Sequence, residues 1–302
     1  MNIVVLIPCF NEALTITSVI NDFKKELPNS RIIVFDNSST DATKALALSS
    51  GAEVVPVIRK GKANVVREMF KRVKADIYVL VDGDGTYSAK DVHELIKPIQ
   101  SGEIDMVVGR RTPVTDAAMK TVNKIGNILF SRFLNFCFHA QLQDVLSGYR
   151  AFNREFVRRV PIITYEFEIE IEMTLQAFSK GLGIVEVPVS YKERPSNSYS
   201  KLKPFRDGYL LLLTIVILFR DLKPLRFFGI GAIAVWIVAA LYGSWVYYLP
   251  RAANLFDTIF LTSLAILGWL FLLIGFSVHT INRRFDDLTA ILDRNLLHKE
   301  TD

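Results

Sequence analysis

The sequence predicts an α/β protein built on a mostly parallel sheet and continued by a hairpin of two membrane-length helices. Three observations carry this expectation. Short β-branched and aromatic runs alternate with helix-length segments over roughly the first 190 residues. Two long stretches near the C-terminus hold no charged side chain. Mean hydropathy is +0.27, high for a soluble enzyme, and the excess lies in those two stretches.

Strands are expected at Ile3–Ile7, Arg31–Phe35, Glu53–Val57, Ile77–Val81, Met106–Val108 and Ile184–Val189. Helices are expected between them over Glu12–Leu27, Thr40–Ser50, Ala63–Val73 and Ala89–Gln100. Asn37-Ser38-Ser39-Thr40-Asp41 reads as a turn and helix cap after the second strand. Open parallel sheets bind ligands at the carboxyl ends of their strands. Three such ends, after Ile7, Phe35 and Val81, carry acids or turn residues. Glu166, Glu168, Glu170 and Glu172 recur at every second position, which reads as an extended, one-sided acidic lead-in to a helix over Met173–Lys180. Ala117–His139 mixes Ile125, Leu129, Phe130, Phe133, Leu134, Phe136 and Phe138 with Lys120, Lys124 and Arg132; a membrane-surface helix and a core helix both account for it.

Phe227–Leu249 and Thr258–Ile281 are each long enough to cross a bilayer core, which needs about 20 apolar residues. Arg220, Lys223 and Arg226 precede the first stretch, and Arg283 and Arg284 follow the second, whereas the connection offers only Arg251 and Asp257. The positive-inside rule then places both outer flanks, and both termini, in the cytoplasm. Ile3–Pro8 lacks the length and the basic lead of a signal peptide. Tyr209–Phe219 is too short to span and is bracketed by Lys203, Arg206 and Arg220, as suits a helix at the interface; a buried helix is the alternative. The expected organisation is a cytoplasmic domain over 1–200, an interfacial helix within 201–225, two spans within 226–282 and a cytoplasmic tail over 283–302.

The 36 Lys and Arg against 31 Asp and Glu leave a net charge of +5, too small a surplus to argue for nucleic-acid binding. Cys9 and Cys137 form no disulfide framework and read as reduced, buried thiols; His93, His139, His279 and His298 lack ligand spacing.

The most informative segment is Val79-Leu80-Val81-Asp82-Gly83-Asp84-Gly85. An apolar strand that emits two aspartates around a glycine presents hard oxygen ligands at its end. Such ligands suit Mg²⁺ or Mn²⁺, which bridge diphosphate oxygens.

Taken with Ile7-Pro8-Cys9-Phe10-Asn11-Glu12 and Phe35-Asp36-Asn37-Ser38-Ser39-Thr40-Asp41, this segment resembles the family 2 inverting glycosyltransferases of GT-A (Rossmann-like) fold. Gly109-Arg110-Arg111, Asp144-Val145-Leu146-Ser147-Gly148-Tyr149-Arg150 and Glu186-Val187-Pro188-Val189 narrow the resemblance to polyprenyl- and dolichol-phosphate sugar synthases, over about residues 1–225. By that resemblance Pro8, Asn11, Glu12, Asp36, Lys62 and Asp82 fall at nucleotide-sugar positions. Asp84, with Asp82, falls at the metal. Many relatives carry Asp-x-Asp-x-Gln, whereas Thr86 stands at the Gln position here, offering a hydroxyl instead.

The resemblance points to Arg111, Lys124, Ser147 and Arg194 for the acceptor phosphate, with Asp82, Asp84 and Arg111 as the catalytic set. Asp144, Arg150, Glu170, Glu172 and Lys201 match further family positions, and solvated or structural roles explain them equally. Arg194-Pro195-Ser196-Asn197-Ser198-Tyr199-Ser200-Lys201 reads as a loop able to cover the site.

The implied activity is transfer of a sugar from a nucleotide diphosphate sugar to polyprenyl phosphate at a prokaryotic plasma membrane. Uridine-linked glucose or N-acetylhexosamine and guanosine-linked mannose are all compatible; Asp82–Tyr87 leans towards the first two. Homo-oligomers through the membrane helices are compatible as well. A processive synthase is the main rival, but the chain has no Arg-Trp pair of the kind such synthases carry. A non-catalytic membrane scaffold gives no reason for Asp36, Asp82, Asp84 and Arg111 to occur together.

Overall fold

The computed structural model describes residues 1–115, 121–138, 141–162, 169–195, 204–248 and 254–300. Seven strands form one sheet: β1 (Ile3–Cys9), β2 (Arg31–Asp36), β3 (Glu53–Pro56), β4 (Ile77–Leu80), β5 (Met106–Pro113), β6 (Arg150–Asn153) and β7 (Ile184–Tyr191). Their order is β3-β2-β1-β4-β6-β5-β7. All neighbours are parallel except β6, which runs antiparallel to both β4 and β5. The sheet is therefore mixed but mostly parallel, of the GT-A type. β6 escapes a sequence reading because it is four residues long and begins on an arginine.

Six strands consequently end on the same edge. The order reverses between β1 and β4, and such a switch point opens a crevice above the strand ends. The sheet is apolar on both faces because helices cover both. Val5, Ile7, Val34 and Val79 pack on one side with α1 (Ile16–Glu26) and α4 (Val92–Gln100). Val4, Leu6, Phe35 and Leu80 pack on the other with α3 (Lys62–Arg72), α6 (Arg154–Arg159) and α7 (Ile169–Ser179). In α1 the buried positions Ile16, Val19, Ile20 and Phe23 follow the spacing of one helical face. A short α2 (Thr43–Ser49) follows β2.

The expected extended lead-in at Glu170 and Glu172 is helical instead, since α7 begins at Ile169. Every residue from Ile169 to Ala177 is buried, so the alternating charge pattern has no solvent face to report on. Glu166 and Glu168 lie outside the described residues. Cys9 is buried as a thiol; the Cys137 side chain is outside the described set.

The chain divides into two compact units, Met1–Ile215 and Val216–Asp302. In the first, α5 (Thr121–Phe138) leaves Leu129 and Phe136 exposed. α8 (Pro204–Leu222), whose residues fall partly in each unit, leaves Tyr209, Leu212, Leu213 and Ile217 exposed. In the second, α9 (Pro224–Tyr247) packs against α10 (Leu255–Glu300). Only 6% and 11% of their most apolar windows are buried inside the protein. A soluble core pair would be covered, so two such long uncovered helices suggest membrane association.

The two helices meet through aromatic rings set over glycines: Phe271 faces Gly231, Trp236 faces Gly268 and Phe228 faces Gly275. At the connecting end Asn254 and Asp257 cap each other, the Asn254 N–H donating to Asp257 Oδ2 (3.0 Å) and the Asp257 N–H to Asn254 Oδ1 (2.9 Å). The Tyr242 hydroxyl donates to Asp257 Oδ1 at 2.8 Å, tying α9 to α10. A Cβ at Gly268 would collide with the Trp236 indole. Gly268→Val should therefore cost about 1–3 kcal/mol of helix-pair stability, the usual range for overpacking. Thermal unfolding in detergent checks this against Ile266→Val, at an exposed position, which should leave the midpoint in place.

Candidate active site

The edge where the strands end gathers most of the chemistry-bearing residues. Pro8 lies within β1, opposite Phe35 of β2. Asn11 and Ser38 adopt left-handed backbone conformations, at φ 55° and 61°, which residues other than glycine enter only when neighbours hold them there. Hydrogen bonds supply that hold. The Thr40 N–H donates to Asn11 Oδ1 (2.8 Å), the Asn11 N–H to Ser39 Oγ (3.0 Å) and the Glu12 N–H to Thr43 Oγ1 (2.8 Å). The Asn37 amide donates to the Val57 and Arg59 carbonyls and accepts from the Gly61 N–H, so the loops after β1, β2 and β3 brace one another.

Between them Asp36 is 5% exposed. Its Oδ2 accepts a long bond from the Ser39 N–H at 3.4 Å, and its Oδ1 has no hydrogen-bond partner among the described residues. A buried carboxylate oxygen left unpaired costs at least about 1–3 kcal/mol, so this one marks a place where an external donor belongs.

Asp82 follows β4. Lys62, the first residue of α3, places Nζ 2.6 Å from Asp82 Oδ1 and 2.6 Å from Glu170 Oε1. Burial lowers this lysine's pKa, but the two carboxylates more than reverse that and hold it well above its ordinary range. Burial likewise pushes the Asp82 carboxyl up, and Lys62, followed by Arg194 and Arg111, brings it below the usual carboxylate range. Arg194, just past β7, sets Nη2 2.5 Å from Asp84 Oδ2. Asp84 Oδ1 accepts from the Thr86 hydroxyl at 2.6 Å and the Thr86 N–H at 3.1 Å.

A hard divalent cation fits these residues. Asp84 is a buried carboxylate already facing a cation, Asp82 stands two residues away, and Thr86 offers a hydroxyl. No fuller cage of His, Cys, Asp and Glu exists among the described residues. A site that completes its coordination with water and substrate phosphate needs no such cage, which is the habit of Mg²⁺-type ions.

Arg111 stands near the end of β5 as a forked donor. Its backbone N–H (2.9 Å) and Nε (2.8 Å) reach Asp144 Oδ2, and Nη2 reaches Asp144 Oδ1 at 2.7 Å. Its guanidinium lies 5.5 Å from the Tyr191 ring centre. Burial opposes the charge, but Asp144 outweighs it and keeps Arg111 above its ordinary range. Beneath it runs a buried relay: the Gly148 N–H donates to the Tyr87 hydroxyl (3.0 Å), Tyr87 to Ser147 Oγ (3.3 Å) and Ser147 to the Gly109 carbonyl (2.5 Å). Gly148 carries no side chain because a Cβ there would strike the Asp82 carboxylate.

The edge thus brings together Pro8, Asn11, Glu12, Asp36, Lys62, Asp82, Asp84, Thr86, Arg111, Asp144, Glu170 and Arg194. Other candidates stand differently. Ser147 is fully buried with its proton given to Gly109, an arrangement that leaves none for a phosphate. Arg150 is also fully buried, donating to the Ser147 and Val145 carbonyls and to Thr174 Oγ1, with burial drawing its pKa to about 10. It braces the 145–147 turn. Glu172 is enclosed within α7. The Lys124 side chain, and residues 196–200 and Lys201 of the suggested covering loop, lie outside the described residues. Sequence reading gave Tyr87 and Glu186 no place in the site, although both lie in motifs it singled out, and it missed Tyr191. It also missed a polar stripe on α5, Asn127, Ser131 and Asn135, whose four-residue spacing in an apolar segment was the available signal.

Residues 4–160 match the model of glycosyl transferase family 2. The chain is 35% identical over 226 residues to glycosyltransferase AglJ of Haloferax volcanii, covering 74% of each chain. It is 28% identical to a dolichyl-phosphate hexose transferase of the same organism, covering 71% of this chain and 92% of that one. Among solved structures it resembles glucosyl-3-phosphoglycerate synthase of Mycobacterium tuberculosis in complex with Mn²⁺, UDP-glucose and phosphoglyceric acid. That match has a TM-score of 0.58 and 25% identity, over 72% of this chain and 79% of that one.

Arg194 holds Asp84 Oδ2, an oxygen a metal ion would take, so the two would compete for it. Arg194→Gln should tighten Mn²⁺ binding to the ligand-free protein about fivefold, the scale of an ion pair of roughly 1 kcal/mol. Titration calorimetry reads this directly. Unchanged or weaker binding in the variant contradicts the competition.

Proposed function

The chain belongs to glycosyl transferase family 2, and within it we propose that it transfers a hexosyl group from a nucleoside diphosphate sugar to a polyprenyl monophosphate. The observation that carries this reading is the Arg111 fork, a buried guanidinium held by Asp144 and close enough to Asp82 to lower its pKa. An arginine so placed suits a phosphate oxyanion better than a sugar hydroxyl. Two further observations point the same way. The chain continues into two apolar helices whose surfaces stay uncovered, as suits an enzyme whose acceptor lives in a bilayer. A dolichyl-phosphate hexose transferase is among its relatives.

The donor's base is assigned to the cleft between the β1 and β2 ends, where the orphaned Asp36 Oδ1 accepts an imide N–H. Uridine fits that acceptor, and the structurally similar synthase is in complex with UDP-glucose. Asn11, Glu12 and the Lys62–Asp82 pair line the path from base to sugar. A divalent cation held by Asp84, with Asp82 and the Thr86 hydroxyl, neutralises diphosphate charge when bound.

The acceptor needs no strong protein base. Its second ionisation lies near pH 6, so a phosphate oxygen attacks already charged. Arg111, with Arg194 as the second guanidinium of this edge, orients it behind the anomeric carbon. A bond from the acceptor phosphate's oxygen to the anomeric carbon forms as the bond from that carbon to the diphosphate oxygen breaks, the nucleoside diphosphate leaves, and the configuration inverts. The catalytic domain and both termini are assigned to the cytoplasm, where the flanking arginines belong.

Arg111→Ala should raise the acceptor KM while leaving nucleotide-sugar affinity nearly intact. Losing one charge-assisted phosphate contact costs about 1.5–3 kcal/mol, roughly 10- to 150-fold in kcat/KM. Asp36→Ala should show the reverse pattern, weakening the donor and sparing the acceptor. Calorimetry with UDP-glucose, beside kinetics at varied polyprenyl phosphate, separates the two. An Arg111 variant that loses the donor and keeps the acceptor refutes the assignment.

A further inference from the structure

We propose that Glu186 is a positioning residue for the acceptor subsite, acting through Asp144 on Arg111. This rests on the reading of Arg111 as the acceptor's ligand. Glu186 lies on β7, opposite Val108 of β5, while Arg111 lies opposite Val189 on the same strand pair. Among the described residues its carboxylate takes no cation in a direct ion pair. Instead Oε1 and Oε2 both accept the Gln143 N–H at 2.9 Å, and Oε1 accepts the Asp144 N–H at 2.8 Å. The next atoms along that backbone carry the Asp144 side chain, whose two oxygens fix the Arg111 fork.

The same short loop is gripped from its other side by the α5 stripe. The Asn127 amide and the Ser131 hydroxyl donate to the Gln143 carbonyl at 3.1 and 3.2 Å. Asn135 exchanges two bonds with Leu142, at 2.8 and 3.1 Å. Seven hydrogen bonds from four side chains, Asn127, Ser131, Asn135 and Glu186, converge on the backbone of three consecutive residues, and that rigidity places Asp144.

A carboxylate is required at position 186 because the bonded groups there are both donors. A glutamine would turn its own N–H₂ towards the Gln143 N–H or leave one donor unpaired. The backbone at 143–144 would shift, and the Arg111 fork with it. An arginine misplaced by a fraction of an ångström still carries its charge but loses paired contact with a phosphate.

The experiment is a double-mutant cycle in the full-length, membrane-solubilised protein with UDP-glucose and polyprenyl phosphate. Glu186→Gln should raise the acceptor KM about tenfold and leave donor affinity by calorimetry within about twofold. In an Arg111→Ala background the same substitution should change acceptor KM by less than about twofold, because the residue it serves is gone. Glu186→Asp, which keeps the charge on a shorter arm, should fall between the two. It also serves if the glutamine variant unfolds, as judged by its thermal transition. Equal losses of donor and acceptor, or full multiplication of the Glu186 and Arg111 effects, would overturn the proposal and leave Glu186 a brace of the fold. If Arg111→Ala alone leaves acceptor KM unchanged, the acceptor reading itself fails, a result distinguishable before the cycle is closed.

Discussion

Lys62 holds two carboxylates at once, Asp82 and Glu170 at 2.6 Å each, and the working edge is organised around that buried balance of charge. Taking a carboxylate or an ammonium out of water costs several kcal/mol for each ion unless a partner of opposite sign stands in contact. Four of the edge's acids pair with three bases here: Asp82 and Glu170 with Lys62, Asp84 with Arg194, and Asp144 with Arg111. Such an arrangement is more than the fold itself requires, since apolar side chains would fill the same space at lower cost. It is what a site needs if a diphosphate, a cation and a second phosphate are to enter and exchange partners with groups already charged and aimed.

The scaffold explains why these groups meet. Six strands end on one edge, and the reversal of order between β1 and β4 leaves the Asn11 loop and the Asp82–Asp84 turn on either side of a crevice. Residues remote in sequence reach it through their ion pairs. Glu170 comes from α7, Asp144 from the loop after α5, and Arg194 from the exit of β7. The antiparallel β6 matters for the same reason, because its lead-in carries Ser147 and Gly148 beneath Asp82.

Much of this was legible in the sequence. Strands β1 to β5 and β7 announce themselves because buried parallel strands are continuous runs of Val, Ile and Leu. The acids at their ends stand out against those runs, so Asp36, Asp82 and Asp84 could be picked out directly. Pairings could not. Nothing local says that Lys62 faces Glu170, or that Arg150 bonds the Val145 and Ser147 carbonyls instead of a phosphate. Those facts depend on contacts between elements far apart along the chain. Glu170 and Glu172 misled for a related reason: a two-residue period implies a strand only where one face meets solvent, and α7 has no such face at its start.

The account's central claim is that the acceptor is recognised by its phosphate. The most direct measurement gives the purified protein radiolabelled UDP-glucose with Mn²⁺ and offers, in parallel, polyprenyl phosphate and the matching unphosphorylated polyprenol. Label should pass into an organic-extractable, acid-labile lipid-linked sugar only with the phosphate, together with stoichiometric release of UDP. Equal transfer to the alcohol, or transfer to a water-soluble acceptor in preference to either lipid, would contradict it.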